Sequence, residues 1–215
     1  MVPLFNEETV IASVVENALP VFPHIVCVDD GSSDGSAAAA LAAGAVVVPH
    51  PINLGQGAAL QTGIDYAIAQ PSCSYLVTFD ADGQHLVADA QAMVARLESE
   101  PLDVVLGSRF LDGRTELGWL KRLVLRTAVV FQRASAGIHL TDAHNGLRAF
   151  TRDAAAKIEI RQNRMAHASE IVGEIAKKKL RYTEQPVHVV YTEYSKAKGQ
   201  SLWNSINILA DLFLN

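Results

Sequence analysis

At 215 residues, 49% hydrophobic and 19% charged, the chain is long enough to bury the core of one α/β domain. A net charge of -5, with no basic stripe interleaved with aromatics, excludes a general nucleic-acid binder. Cys27 and Cys73 lack metal-ligand spacing, and Cys27, inside HIVCVD, reads as a buried free thiol suited to a reducing cytosol.

The start, MVPLFNEE, offers almost no strand ahead of Pro3. Asn6 reads as the N-cap of a helix carrying Val10, Ile11, Val14 and Ala18. A chain entering a ligand crevice at Pro3 would come off a buried strand. A truncated first strand is therefore expected, through a trimmed boundary or a misassigned start codon. HIVCV (24–28) then reads as a buried strand, followed by an Ala-rich helix ending near Gly44 and a strand at AVVV (45–48). The stretch 57–69 is helical, YLVTF (75–79) a strand, 88–99 a helix and DVVLG (103–107) a strand. Such alternation predicts a mostly parallel sheet with helices on both faces.

The second half reads as an Arg-bearing helix over 119–136 stopped by Gly137, and a short strand GLRAF (146–150). Thr151 is an N-cap, and a helix follows over 167–179, then a strand at VHVVYT (187–192). A loop, YSKAKGQS (194–201), leads into an amphipathic helix over 201–215 with Leu202, Ile206, Leu209 and Phe213 on one side. That helix is expected to pack on the domain or a partner chain, with a membrane-surface foot as the alternative. No signal-peptide pattern is present, and the longest apolar stretch (37–48) is too short to span a bilayer. A cytoplasmic chain is expected, soluble or peripheral on the inner face of the membrane.

Three stretches carry chemistry. In FDADGQH (79–85), extended residues at i, i+2 and i+4 share one side, so Asp80, Asp82 and Gln84 can present three oxygens together. Oxygen ligands suit Mg²⁺ or Mn²⁺ gripping substrate phosphates, and the carboxyl end of a strand is where α/β sheets bind ligands. The alternative is a polar turn with Asp80 capping the next helix. In VDDGSSDG (28–35), Asp30 is placed to accept from ribose hydroxyls or a base N–H, while Ser33 or Asp34 caps the following helix. NLGQGAA (53–59) is a glycine-bearing helix entry and no P-loop, since neither GKS nor GKT follows.

VPLFNEE, VDDGSSDGS, NLGQGAALQTGI, FDADGQH, GSRF and NGLRAF occur in this order, and together they resemble the family 2 glycosyltransferases of GT-A fold. Within these the chain is most similar to the dolichol-phosphate mannose synthase and polyprenyl-phosphate glycosyltransferase group, over nearly its whole length. The resemblance implies one GT-A domain over 1–215. Residues 1–107 would form the nucleotide-sugar half, 108–200 the acceptor half, and 201–215 the terminal helix. It implies donor contacts at Pro3, Phe5, Glu7, Val28 and Asp30. Asp80, Ala81, Asp82 and Gln84 match the metal–diphosphate motif, with Mg²⁺ or Mn²⁺ as cofactor. Arg109 would face the phosphates, Arg148 the acceptor phosphate, and the Lys196/Lys198 loop would close over the donor. Asp82, Arg109 and Arg148 would carry catalysis.

Phe5 departs from the group's usual tyrosine, and Asp142-Ala143-His144-Asn145 from its Ser/Thr-rich form. The partners implied are a nucleotide-sugar donor, a lipid-phosphate acceptor, and a membrane surface or membrane protein. Were the acceptor a hydroxyl, a carboxylate base would be needed, and Asp142 is the candidate. A catalytically silent nucleotide-sugar binder is the rival of another class. His85 is expected beside the metal or in a helix-entry hydrogen bond. His144 and His167 are expected in local hydrogen bonds. Arg161, Arg164 and Met165 read as a lid-like polar stretch, with Glu170 pairing one of the arginines. Lys177, Lys178, Lys179 and Arg181 form a solvated helix end.

Overall fold

The structure is a computed structural model, and it describes residues 1–111, 138, 140–142, 145–164 and 166–190. The strands among these are β1 (Val2–Leu4), β2 (Val26–Asp29), β3 (Val46–Pro49), β4 (Tyr75–Thr78), β5 (Val104–Ser108), β6 (Arg148–Thr151) and β7 (Tyr182–Pro186). The helices are α1 (Ile11–Ala18), α2 (Ser36–Ala42), α3 (Gln56–Ala69), α4 (Val87–Ser99), α5 (Arg152–Ala155) and α6 (His167–Lys177).

β1 pairs parallel with β2, and β2 with β3. A second group runs β4-β6-β5-β7, in which only β6 is antiparallel to its neighbours. Met1 joins the two groups: its N donates to Val77 O at 2.7 Å, and Phe79 N donates to Met1 O at 3.0 Å. The strands thus follow one another as β3-β2-β1-β4-β6-β5-β7, with β1 in the interior between β2 and β4. The short run Val2–Leu4 is therefore a paired central strand, and Pro3 lies within it rather than after it. Met1 directs its N and O toward β4, so by alternation Pro3 also faces β4. β4 ends at Thr78, so the missing Pro3 N–H falls where the partner has run out.

Alternation along the strands divides the core between two faces. Val105 and Ala149 pack with Ile11, Val15, Ala40, Ala90 and Met93 of α1, α2 and α4. Val104, Leu106 and Phe150 pack with Leu60, Ile64, Ala154, Ile171 and Ile175 of α3, α5 and α6. Cys27 is a buried free thiol pushed up to about 11 by burial. Thr151 caps α5 by accepting from Ala154 N, as its sequence position suggested.

Two local expectations change. Asn6 is not an N-cap, because α1 begins only at Ile11, without a side-chain cap. Asn6 instead adopts φ 53°, which asparagine tolerates, and links two loops. Its N–H donates to Ser32 Oγ at 3.0 Å and its Oδ1 accepts from Ser33 N at 2.9 Å. The last described strand is Tyr182–Pro186, not 187–192; within 187–190 there is only a bridge from Val189 to His85. Pairing with β5 selects the more polar segment, since Glu184 stands opposite Leu106 and Pro186 opposite Ser108. The expected helices at 119–136 and 201–215 and the Lys196/Lys198 loop lie outside the described residues. At the end of the sheet where β2 and β4 begin, Met1, His24, Tyr66 and Tyr75 line a cavity of about 460 Å³.

Candidate active site

The chemistry gathers at the opposite end, where β1, β2, β4 and β5 finish and the antiparallel β6 starts. Thr78, the last residue of β4, stands opposite Arg148, the first of β6, and its hydroxyl donates to Gly146 O at 2.7 Å. Asp80 leaves β4 beside Gly146, with no room between them: a Cβ on Gly146 would lie 2.3 Å from Asp80 Oδ2 and 2.6 Å from Oδ1. His85 Nε2 lies 2.8 Å from Asp80 Oδ2, and the ring stands edge-on to Phe79. Burial alone would raise the Asp80 carboxyl. The His85 hydrogen bond and the charges of His85, Arg148 and His167 outweigh it and hold Asp80 below its usual range.

Asp82 shares this corner. Its Oδ1 accepts from Gln84 N at 3.1 Å. Burial first, then the charge of Asp80, pushes its carboxyl up to about 6, and Glu7 adds to the repulsion. Among the described residues no group of three or more His, Cys, Asp or Glu could hold a metal by itself. Asp80 and Asp82 therefore fit a cation that takes only two protein carboxylates and completes its shell with water and substrate phosphates, as Mg²⁺ and Mn²⁺ do. The mutual repulsion at Asp82 is what such an ion would relieve. Gln84 could ligate such an ion only through its Oε1; its Nε2 is buried and has no hydrogen-bond partner among the described residues.

Arg148 is only 3% exposed, and burial brings its guanidinium down to about 10 against the opposing charges of Asp80 and Asp142. Among the described residues its guanidinium makes no hydrogen bond or ion pair. Arg109 is held differently. Its Nε and Nη2 donate to Asp142 at 2.6 and 2.7 Å, and its backbone N donates to the same carboxylate at 3.1 Å. Asp142, considered above as a base, is thus engaged as an arginine clamp. Asn145 Oδ1 accepts from Leu147 N at 2.9 Å, and its buried Nδ2 has no partner among the described residues. Buried donors are rarely left so, and Gln84 Nε2 and Asn145 Nδ2 flank Asp80 in sequence or in space.

Donor-side residues are only partly offered. Phe5 is 43% exposed at the rim, and Pro3 lies in β1 opposite Val28. Glu7 is close enough to Asp82 to raise its carboxyl, and Ala81 is buried. Val28 is wholly buried among Val26 and Ala59, so its side chain is not available to a ligand. Asp30, expected to accept from ribose or base, has both oxygens in use. Oδ1 takes Leu54 N at 2.9 Å and His50 Nδ1 at 2.8 Å, and Oδ2 takes Gly55 N at 2.7 Å. It organises the loop that enters α3. His50 Nε2 continues the chain to Thr62 at 2.9 Å. Neither Ser33 nor Asp34 is the N-cap of α2: that position is Gly35, without a side-chain cap, and Asp34 just before it accepts from Ser36 N at 3.0 Å.

Beyond α3, Gly57 N donates to Asn163 O at 2.8 Å, placing the 161–164 stretch over the helix entry. Glu170 holds that stretch through the backbone N–H groups of Arg161 and Gln162, not through an arginine head, since Arg161 pairs with Glu159. His167 Nδ1 lies 2.7 Å from Arg164 O, the local bond expected of it. Lys177 and Lys178 reach Glu174, and Arg181 pairs with Asp103. His144 and Met165 lie outside the described residues. Sequence reasoning missed Asn145, His50 and Glu184. Only Asn145 left a trace, beside the glycine of NGLRAF.

Residues 1–159, which hold almost all of this site, match the family model described as glycosyl transferase family 2. The chain belongs to glycosyl transferase family 2. This family 2 enzyme is 28% identical over 240 residues to a UDP-N-acetylglucosamine--dolichyl-phosphate N-acetylglucosaminyltransferase of Methanococcus voltae, covering 100% of this chain and 94% of the relative. It is 33% identical over 172 residues to a polyprenol monophosphomannose synthase of Mycolicibacterium smegmatis, covering 74% and 63%. Its fold matches glucosyl-3-phosphoglycerate synthase of Mycobacterium tuberculosis with a TM-score of 0.72 at 19% identity, over 98% of this chain and 75% of the other. That structure is a complex with Mn²⁺, uridine-diphosphate and phosphoglyceric acid. The glycosyltransferase has the GT-A architecture. Among its described residues no helix is long and apolar enough to cross a membrane.

Proposed function

We propose that this glycosyltransferase is metal-dependent and inverting, and that it moves a sugar from GDP-mannose or a UDP-hexose to a polyprenyl phosphate. The observation that carries the reading is Arg148, a buried cation beside the Asp80–Asp82 pair that has no hydrogen-bond or ion-pair partner among the described residues. Such a group is costly to bury unless an anion joins it. Breaking a sugar–diphosphate bond builds negative charge on the leaving diphosphate. A divalent ion held by Asp80 and Asp82 would neutralise part of that charge as a Lewis acid. Arg109, fixed by Asp142, and Arg148 add positive charge that needs no rearrangement during the reaction.

The engagement of Asp142 with Arg109 supports an acceptor that needs no base. A phosphate oxygen is already anionic, so Arg148 need only hold it against the sugar carbon. Attack opposite the leaving diphosphate then inverts that carbon. A hydroxyl acceptor would need a base, and Asp142 is committed to Arg109. The names of the two relatives support a lipid-phosphate acceptor. Such an acceptor would bring the protein to a membrane surface. Lys196 and Lys198 are proposed to close over the donor.

The test is calorimetric titration with GDP and with UDP, each with Mn²⁺ and with chelator, followed by transfer from the matching nucleotide-sugar to polyprenyl phosphate. Metal-dependent binding of one nucleotide and transfer to the lipid is expected. Full transfer by Asp82→Ala would remove the metal assignment. Transfer to a sugar hydroxyl in preference to polyprenyl phosphate would remove the acceptor.

A further inference from the structure

Glu184 belongs to none of the motifs that identify the family, yet its carboxylate is committed to the site. It lies on β7 opposite Leu106, two residues before β5 delivers Ser108 and then Arg109. Oε1 accepts from Thr141 N at 2.8 Å, from the Thr141 hydroxyl at 2.9 Å and from Asp142 N at 3.1 Å; Oε2 accepts from Thr141 N at 2.9 Å. Thr141 Oγ1 also lies 2.6 Å from Ser108 Oγ. The segment leading into Asp142 is therefore tied on one side to β7 and on the other to the end of β5. Asp142 in turn holds Arg109 by two side-chain bonds.

Burial pushes the Glu184 carboxyl up against the opposing pull of its Thr141 and Asp142 donors. The fold thus tolerates a half-buried carboxylate at an edge strand to orient two backbone N–H groups. A turn could satisfy those groups more cheaply with its own carbonyls. What the carboxylate adds is a fixed position for Asp142 relative to β5.

We propose that Glu184 is a positioning residue: it fixes Thr141 and Asp142 so that Asp142 presents the Arg109 guanidinium to the substrate phosphates. The proposal rests on the transfer function above for its kinetic consequence, but not for its structural one. Glu184 acts through Asp142 and touches neither donor nor acceptor.

The experiment compares Glu184→Ala, Glu184→Gln and Thr141→Val, in the wild-type and Arg109→Ala backgrounds, with melting temperature recorded for each. Glu184→Gln keeps an oxygen where Oε1 accepts its three bonds and should stay within about threefold of wild type in kcat/KM for the donor. Glu184→Ala should lose about tenfold or more well below its melting temperature, and Thr141→Val less in the same direction. In the Arg109→Ala background the Glu184→Ala loss should nearly vanish, because both changes disable one unit. An equal loss in both backgrounds, or a lowered melting temperature with unchanged kcat and KM, would overturn the proposal.

A second readout needs no activity: the Arg109 Nε–H resonance in the nitrogen-15 spectrum of the unliganded protein. It should shift or broaden in Glu184→Ala and return in Glu184→Gln. An unmoved resonance in Glu184→Ala refutes the coupling. A moved resonance in a protein that binds no nucleotide would instead leave Glu184 in place and refute the transfer function.

Discussion

Gly146→Ala tests the tightest contact in the site. The added Cβ would stand 2.3 Å from Asp80 Oδ2, 2.6 Å from Oδ1 and 2.7 Å from Cγ. Ordinary carbon contacts begin near 3.5 Å, so the carboxylate must retreat by about 1 Å. It has little room to do so, because Oδ2 is held by His85 at 2.8 Å and Gly146 is anchored by Thr78. A retreat of that size would stretch the His85 bond beyond hydrogen-bond range. Overpacking of this kind costs roughly 1–3 kcal/mol of stability. A misplacement of ~1 Å at a reacting group costs on the order of a hundredfold in turnover. The assay is nucleotide calorimetry with Mn²⁺ and with chelator, beside thermal melting. Gly146→Ala should melt lower and lose metal-dependent binding. Adding Asp80→Ala should restore much of the melting temperature without restoring binding, since the clashing oxygens are gone. A stability loss that persists in the double variant would show that the methyl meets something other than Asp80. Metal-dependent binding equal to wild type in the single variant would refute the reasoning outright.

Asp82 should show a trade of stability for function. A carboxyl raised in the folded state to about 6 contributes its stability fully below its unfolded value of 3.8 and loses it as pH rises through about 6. At pH 7.5 the ionised Asp82 of the metal-free protein therefore costs up to about 3 kcal/mol. Asp82→Asn should melt higher than wild type at pH 7.5, no higher near pH 4, and should bind no nucleotide through Mn²⁺; identical melting at both pH values would contradict the repulsion. Arg148→Met replaces a buried cation that has no ion-pair partner among the described residues with an apolar chain of similar length, so melting should hold or rise while transfer to polyprenyl phosphate falls about a hundredfold or more. Retained transfer would exclude Arg148 from phosphate binding. Asp30→Asn puts an amide N–H against Gly55 N and should cost about 1–3 kcal/mol of stability. A variant that melts like wild type but binds nucleotide less tightly would return Asp30 to ligand contact.

The periodic parts of the chain were legible from residues alone. α3 and α4 begin within one residue of where their apolar spacing put them, and β4 and β5 lie within one residue of YLVTF and DVVLG. Those segments bury a continuous stripe or run, and local pattern decides them. The ordered motifs also carried the family, because a strand followed by acids, glycine and polar residues is a local arrangement. Patterning could not decide what a polar side chain would meet. Asp30 and Asp80 read alike, as acids just past an apolar strand. One is consumed by the backbone of a loop twenty-four residues on, and the other faces a glycine just ahead of β6, sixty-six residues later. Asp142 looked like a base until β5 brought Arg109 to it. Glu184 showed nothing, because its strand is chosen by register with β5 and not by its own hydrophobicity. Sequence by itself determined the layered α/β core and the residue types at the strand ends. Only the tertiary structure decided which carboxylates remain for a metal and which are used to build the site, because hydrogen bonds between distant segments divide identical side chains between those roles.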